Sequence, residues 1–269
     1  MEISREDLDA LRNEKYSGAL DADMSVDIAR LEAGEPLAYV IGTMPFLGLS
    51  IGLDSRPLIP RPETEWWTEL LINHLNTTIY GCIEVEGRNE GNEEKKEAGM
   101  SEKVQVLDMC AGSGAIGLAV LKHCPYAYVS FGELSPEHTK QIQENLEINA
   151  LDASRADIRQ GDLFESFKNE TFSIIATNPP YIPNIRTLSE SVSAYEPREA
   201  LFAGADGLEL ITRILKEAPH YLAEKGELWM ECDISNIETA SALAIAEGAS
   251  YTKIRTDQYG RPRLLVAYY

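Results

Sequence analysis

The sequence predicts an α/β fold in which a mostly parallel, seven-stranded sheet is covered by helices on both faces. From Val104 onward, apolar runs of strand length alternate with runs of helix length, and this alternation is typical of parallel sheets. The last two strand-length segments, 251–256 and 263–269, are joined by a short turn through Gly260 and Pro262, which predicts an antiparallel hairpin at the sheet edge. A chain of 269 residues is long enough to bury the core of one such domain.

Two small units are predicted ahead of the main domain. Residues 1–35 carry apolar positions at helical spacing, and a Gly-Glu-Pro sequence ends this short helical segment. Residues 36–60 contain two short apolar runs separated by a turn, which predicts a β-hairpin with strands over 39–42 and 46–51. The main domain then covers residues 61–269.

The main domain is predicted to begin with a helix that Thr64 caps and that extends to His74. Residues 84–103 are rich in charge and glycine and lack apolar periodicity, which indicates a mobile surface insertion. The remaining elements are predicted, in order, as strand 104–109, helix 115–123, strand 128–133, helix 136–149, a strand from Ile158 to Gly161, strand 172–178, helix 207–222, strand 227–232, helix 235–247, and strands 251–256 and 263–269.

The charge, the cysteine spacing and the N-terminal sequence restrict which partners and which cellular compartment the protein is expected to have. Lys and Arg total 24 against 44 Asp and Glu, so the net charge is −20, and an acidic surface repels nucleic acids and anionic membranes. The four cysteines lie far apart without metal-ligand spacing, as expected of reduced thiols. The acidic N-terminus does not resemble a signal peptide, and no apolar stretch reaches membrane-spanning length. We therefore expect a cytoplasmic protein.

A glycine-containing loop follows the first strand of the main domain and opens a helix. Glycines there allow close approach of a ligand, and the helix N-terminus presents unpaired N–H groups. The loop lacks the GxGxxG pattern of dinucleotide sites, so it could also be only a tight strand–helix connection. The candidate cofactor-binding residues of this loop are Asp108, Cys110, Ala111, Gly112, Ser113 and Gly114.

Carboxylates end the next two strands. Glu133 lies about twenty residues beyond the loop, where a carboxylate can accept hydrogen bonds from a ribose diol; the alternative is a solvated loop carboxylate. Asp162, followed by Leu163, ends the third strand, where it could accept from an adenine amino group. An adenosine ligand without the diphosphate pattern indicates S-adenosylmethionine (SAM).

The tetrapeptide Asn178-Pro179-Pro180-Tyr181 closes the fourth strand and is the most specific feature of the chain. The prolines stiffen the backbone and leave carbonyl groups without neighbouring donors. The oxygens of Asn178 and Pro179 could each accept one hydrogen of a planar NH2 group, and Tyr181 adds a flat face. The tetrapeptide therefore predicts a site that orients an amide or amino group for methyl transfer, unless it is only a proline-rich turn.

Taken together, these motifs resemble the HemK/PrmC family, SAM-dependent methyltransferases with a Rossmann-like fold that modify the glutamine of the GGQ motif in peptide chain release factors. The NPPY sequence is shared with DNA adenine methyltransferases, whereas IPRPETE is typical of a much narrower group of proteins and selects this family. The resemblance runs from about Gly34 to the C-terminus and rests on GEPLAY at 34–39, Phe46, IPRPETE at 59–65, the loop 108–117, QGDLFE at 160–165, NPPYIP at 178–183, Tyr195 to Arg198, Ala200 and Leu201, and GADGLEL at 204–210.

The resemblance implies that residues 110–114 hold the methionine part of SAM and that the NPPY tetrapeptide holds the glutamine. It also implies that Phe46, Arg61 and Glu63 border the substrate pocket; the alternatives are hairpin core for Phe46 and a surface ion pair for the other two. It implies a release factor as partner, no metal and no direct nucleic-acid contact, and we expect a monomer. A nucleic-acid amino methyltransferase and a non-catalytic SAM-fold subunit remain as alternatives.

The sequence departs from the family pattern in three places. Cys110 stands where a glycine is usual, so we expect it to be structural. The helical segment before Gly34 is shorter than in the family, so we expect the mode of docking to differ. The insertion at 84–103 has no counterpart in the family.

Overall fold

A computed structural model of the protein describes residues 3–79 and 103–269. The predicted insertion at 84–103 therefore lies outside the described residues, except for Lys103. The strands are β1 (Thr43–Phe46), β2 (Leu49–Gly52), β3 (Val104–Met109), β4 (Ala127–Glu133), β5 (Ala156–Gln160), β6 (Phe172–Thr177), β7 (Leu222–Glu231), β8 (Tyr251–Thr256) and β9 (Pro262–Tyr268).

The main sheet has seven strands in the order β5-β4-β3-β6-β7-β9-β8 within the described part of the chain. Strands β3 to β7 are parallel to their neighbours in this group, and β9 pairs antiparallel with both β7 and β8. The chain runs outward from β3 to β5 and returns to the other side of β3 at β6. The predicted fold is confirmed, and its reversal point lies where ligands bind in such sheets.

The helices of the described residues cover both faces of this sheet or lie ahead of it. They are α1 (Arg5–Tyr16), α2 (Ser25–Glu32), α3 (Leu37–Ile41), α4 (Pro62–His74), α5 (Ala115–His123), α6 (Pro136–Ile148), α7 (Glu190–Tyr195), α8 (Glu209–Glu217) and α9 (Ile237–Ala246). A π-helical turn, Leu75–Ile79, follows α4. None of the helices in 3–79 and 103–269 is long and apolar enough to cross a membrane.

Alternating side chains of the central strands build two cores, one on each face. Val106 and Ile174 pack with α4, α5 and the β1–β2 hairpin, whereas Leu107 and Ile175 pack with α8 and α9. All four side chains are fully buried. Continuous apolar strands of this kind are expected when both faces are covered.

The hairpin is present, but its strands differ from the prediction. Residues 37–41 form a helix, so the predicted strand over 39–42 is wrong. A four-residue apolar run fits either period, and here packing against α1 and α2 selects the helix. Phe46 pairs with Leu49, which leaves Leu47 and Gly48, both with positive φ, as the two-residue turn.

Two other boundaries also need correction. Helix α4 begins at Pro62, with Arg61 at the N-cap, so Thr64 lies inside the helix and does not cap it. The predicted helix over 207–222 ends as α8 and a 3-10 turn, Ala218–His220, because Pro219 cannot continue an α-helix. Strand β7 then starts five residues before the predicted start of 227.

Candidate active site

The loop after β3 folds back against the end of β4. Cys110, Gly112 and Gly114 have left-handed backbone conformations with φ of 58°, 55° and 80°. The backbone N–H of Ala111 donates to the Gly132 carbonyl over 3.1 Å. A Cβ added at Gly112 would meet no atom within 4 Å, so the loop leaves open space on that side for a ligand.

Glu133 is held at the end of β4 by two backbone donors. Its carboxylate accepts from the N–H of Gly112 over 2.8 Å and from the N–H of Ser135 over 2.9 Å. The residue is only 8% exposed, which does not fit a solvated loop carboxylate. Each carboxylate oxygen has a second lone pair, so the side chain can still accept from a ligand.

A cavity of about 190 Å³ opens beside this loop, at the carboxyl ends of the parallel strands. Leu58, from the segment before α4, and His138, from α6, also form its wall. The predicted site residues that line it are Cys110, Gly112, Glu133, Asp162, Leu163, Asn178 and Pro180. Ala111 and Ser113 line a smaller adjoining cavity of about 50 Å³. The structure thus brings the ends of β3, β4, β5 and β6 to one site.

Asp108 supports the loop from behind. It is fully buried, and its Oδ2 accepts from the N–H of Gly117 over 2.8 Å. Burial raises the pKa of Asp108 well above its ordinary value. It is not among the residues that line the two cavities around this loop, so its observed contact is with the loop backbone.

Cys110 reaches the cavity wall but is not a reactive group. Burial, together with the nearby Glu133 charge, raises the pKa of the thiol to about 12. At neutral pH the side chain is therefore an uncharged thiol, and the thiolate is the nucleophilic form of cysteine.

Asp162 and Leu163 border the same cavity from the end of β5. Asp162 Oδ2 pairs with Arg213 over 2.9 Å, and both side chains are 43% exposed. The pairing was not predicted, because Arg213 lies on α8, about fifty residues further along the chain. It leaves the second carboxylate oxygen of Asp162 as the one that could face a ligand.

The NPPY tetrapeptide separates this cavity from a second one of about 260 Å³. Asn178 and Leu58 line both cavities, and Tyr181 and Arg61 line the second. The Asn178 Oδ1 atom is buried without a hydrogen-bond partner among the residues that the structure describes. Buried acceptors are normally satisfied, so this oxygen suits a donor supplied by a ligand.

Phe46, Arg61 and Glu63 do not form one group. Phe46 is 1% exposed in the core beneath the hairpin and is not among the residues that line the second cavity. Arg61 pairs with the buried Glu196 over 2.6 Å, and Glu63 pairs with Arg261 over 2.5 Å. Neither the substrate position of Phe46 nor an Arg61–Glu63 ion pair is seen; of the three, Arg61 alone reaches the second cavity.

The sequence interpretation overlooked a buried carboxylate beneath the tetrapeptide. Glu231, at the end of β7, is 1% exposed and accepts hydrogen bonds from Thr64, Trp67 and Tyr181. Burial raises the pKa of Glu231 above its ordinary value. A carboxylate at a strand end was the signal used for Glu133, and it would have indicated Glu231 as well.

Comparison with known proteins supports a methyltransferase. The family described as "Methyltransferase small domain" matches residues 95–194. A release factor glutamine methyltransferase of Geobacter sulfurreducens is 35% identical over 80% of this chain and 67% of its own. One from Deinococcus radiodurans is 31% identical over 89% of this chain and 77% of its own. A crystal structure of a methyltransferase from Pyrococcus furiosus superposes with a TM-score of 0.52 at 18% identity, over 91% of this chain and 98% of that one.

Proposed function

Because the chain belongs to the release factor glutamine methyltransferase family, we propose that it methylates a release factor. The methyl group would pass from SAM to the side-chain amide nitrogen of the glutamine in the GGQ motif. The observation that carries this proposal is the buried, unpartnered Oδ1 of Asn178, a residue that lines both cavities. The acidic surface, with a net charge of −20, suits a basic protein better than a phosphate backbone.

The first cavity is proposed to hold the cofactor. Glu133 would accept from the ribose hydroxyls, Asp162 and Leu163 would border the adenine, and residues 110–114 would hold the methionine part. The residues present suit this group, since the cavity offers a carboxylate, apolar side chains and an open glycine. When bound, SAM supplies a methyl group on a sulfonium, which is an electrophile.

The second cavity is proposed to receive the glutamine side chain. An amide nitrogen is a poor nucleophile, because its lone pair is delocalised into the carbonyl group. Asn178 Oδ1 and the Pro179 carbonyl would each accept one N–H of the substrate and so fix where the nitrogen points. Positioning and water exclusion by the apolar wall are then the main contributions of this chain. A nitrogen that has accepted the methyl group carries a positive charge, so its N–H would be strongly acidic and would pass its proton to water. No strong general base is therefore required beforehand.

The domain division is also part of the proposal. We propose that residues 1–35 and 36–60 form a docking unit ahead of the methyltransferase domain at 61–269. Tyr195, whose hydroxyl donates to the Ala33 carbonyl over 2.9 Å, connects this unit to the segment after the tetrapeptide. Leu58, near the end of this unit, lines the second cavity, which supports a role in docking.

The test is transfer of radiolabelled methyl from SAM to four acceptors. These are a release factor, the same factor with its GGQ glutamine changed to alanine, duplex DNA, and buffer alone. We expect label only on the unmodified release factor. Label on DNA would indicate the nucleic-acid alternative, and no label on any acceptor would indicate a non-catalytic subunit.

A further inference from the structure

Glu231 is the point at which three elements meet beneath the tetrapeptide. Its Oε2 accepts from Thr64 Oγ1 over 2.7 Å and from Trp67 Nε1 over 2.8 Å, and its Oε1 accepts from the Tyr181 hydroxyl over 2.9 Å. Thr64 and Trp67 come from α4, and Tyr181 follows β6. An ionised carboxylate can only accept, so with Glu231 ionised the Thr64 and Tyr181 hydroxyls donate to it, as the Trp67 N–H does.

The direction of the Thr64 bond determines what Thr64 can offer to Asn178. A hydroxyl has one hydrogen, and that of Thr64 is committed to Glu231. Thr64 Oγ1 can therefore only accept, and it does so from Asn178 Nδ2 over 3.1 Å. If the Asn178 amide were turned by 180°, two acceptor oxygens would face each other at this distance.

The other end of the amide, Oδ1, is consequently left available to a ligand. It is buried without a partner in the described ranges, and Asn178 lines both cavities. An amide without the Thr64 contact could turn and present its NH2 group to the substrate, and an NH2 group repels the N–H of a glutamine amide.

We propose that Thr64 is a positioning residue whose hydroxyl, oriented by Glu231, holds the Asn178 amide with Oδ1 toward the substrate. The proposal rests on the proposed function of Asn178 as the acceptor for the glutamine NH2 group. Glu231 supports both ends of the tetrapeptide, because it reaches Asn178 through Thr64 and Tyr181 directly.

The test compares Thr64→Val, which removes the hydroxyl at nearly constant shape, with Thr64→Ser, which keeps it. We expect Thr64→Val to lower kcat for the release factor by about 10- to 100-fold, as other losses of positioning do, with the SAM Kd unchanged. Thr64→Ser should restore most of the rate. Thr68→Val is the matched control, since Thr68 is also buried on α4 but its hydroxyl donates to the Thr64 backbone carbonyl.

A double variant separates positioning from general structural damage. If Thr64 acts through Asn178, Thr64→Val should have no further effect on kcat in an Asn178→Ala background. A wild-type rate for Thr64→Val, or an equal loss in both backgrounds, would overturn the proposal. If Thr64→Val does not fold, Thr64→Ala removes the same hydroxyl without adding a methyl group and carries the same expectations.

A readout independent of activity keeps this inference distinct from the proposed function. The side-chain NH2 resonances of Asn178 in the NMR spectrum of the wild-type protein should show one hydrogen-bonded proton. Thr64→Val should abolish the protection of this proton from exchange with solvent, and Thr68→Val should not. Persistence of that protection in Thr64→Val would refute the positioning role of Thr64 even if the wild-type protein methylates its release factor. Loss of the protection in Thr64→Val, together with a wild-type protein that does not methylate the release factor, would instead support the positioning role of Thr64 and reject the proposed substrate.

Discussion

The backbone N–H of Gly112 donates to the carboxylate of Glu133 over 2.8 Å, across 21 residues of sequence. This bond ties the loop after β3 to the end of β4. The side chain proposed to receive the ribose therefore also shapes the loop proposed to hold the methionine part of the cofactor. Because the loop and the proposed ribose site share one carboxylate, a change at Glu133 should affect both.

Glu133→Ala should weaken SAM binding by about 10- to 100-fold, since charge-assisted hydrogen bonds contribute about 1.5–3 kcal/mol. Isothermal titration calorimetry of the purified protein measures the effect. Glu144→Ala is the control, because Glu144 is a partly exposed carboxylate on α6 that pairs only with Lys140 among the contacts described. Equal SAM affinity in the wild type and Glu133→Ala would remove Glu133 from the cofactor site.

Asn178→Ala should lower the rate of glutamine methylation by about 10²–10³-fold, because it removes the acceptor that positions the amide. SAM affinity should change little, since most proposed cofactor contacts come from other strand ends. Asn178→Asp keeps an acceptor and should retain partial activity. Asn184→Ala, an exposed amide in the following segment, serves as the control in the same methyl-transfer assay. A wild-type rate for Asn178→Ala would return the tetrapeptide to the role of a rigid turn.

Gly207→Ala should destabilise the protein and impair methyl transfer. Gly207 has a φ of +77°, and a Cβ there would lie 2.2 Å from the carbonyl oxygen of Tyr181. The backbone of the tetrapeptide would have to move, in addition to the strain of a left-handed alanine, of about 1–2 kcal/mol. Urea unfolding and the methyl-transfer assay measure the two effects.

Gly260→Ala is the matched control for Gly207→Ala. Gly260 has the same φ of +77°, but a Cβ there would meet nothing within 4 Å. Its variant should show the backbone strain alone and keep full activity. Equal losses of stability and activity in the two variants would contradict a specific contact between Gly207 and Tyr181.

The stabilising effect of Asp233 should fade in acid. Burial alone raises the pKa of this carboxyl, but hydrogen bonds from Arg186 and Ser235 and the Arg186 charge outweigh it, so the pKa lies below its ordinary value. A carboxyl with a lowered pKa stabilises the folded state above its unfolded pKa of about 3.9 and loses this effect as the pH falls further. The destabilisation caused by Asp233→Asn should therefore be largest near neutral pH and shrink below about pH 4.

Urea unfolding of the wild type and Asp233→Asn across this pH range measures the difference. Asp157→Asn is the control, because Asp157 pairs with Arg159 at the surface, where ion pairs contribute about 0–1 kcal/mol. A pH-independent difference for Asp233→Asn would show that the Arg186 pair does not depend on the Asp233 charge.

The sequence alone determined the sheet and located most of the residues that line the proposed cofactor cavity. Strand Val104–Met109, helix Ala115–His123 and strand Tyr251–Thr256 match their predicted bounds. Residues enriched in strands mark the two strands, and an apolar run of helical length opened by glycines marks the helix. Glu133, Asp162 and Asn178 could be located for the same reason, since each ends a strand whose limits are local. The short run at 39–42 could not, because four apolar residues do not distinguish a helix from a strand.

Only the tertiary structure decided which side chains meet. Thr64 and Glu231 are 167 residues apart in sequence, and Thr64 and Asn178 are 114 apart. Their hydrogen bonds depend on how α4 packs across the ends of β6 and β7. Periodicity is set by neighbours along the chain, whereas the direction of a buried hydrogen bond is set by groups that only folding brings together. The orientation of the Asn178 amide is therefore a property of the folded protein.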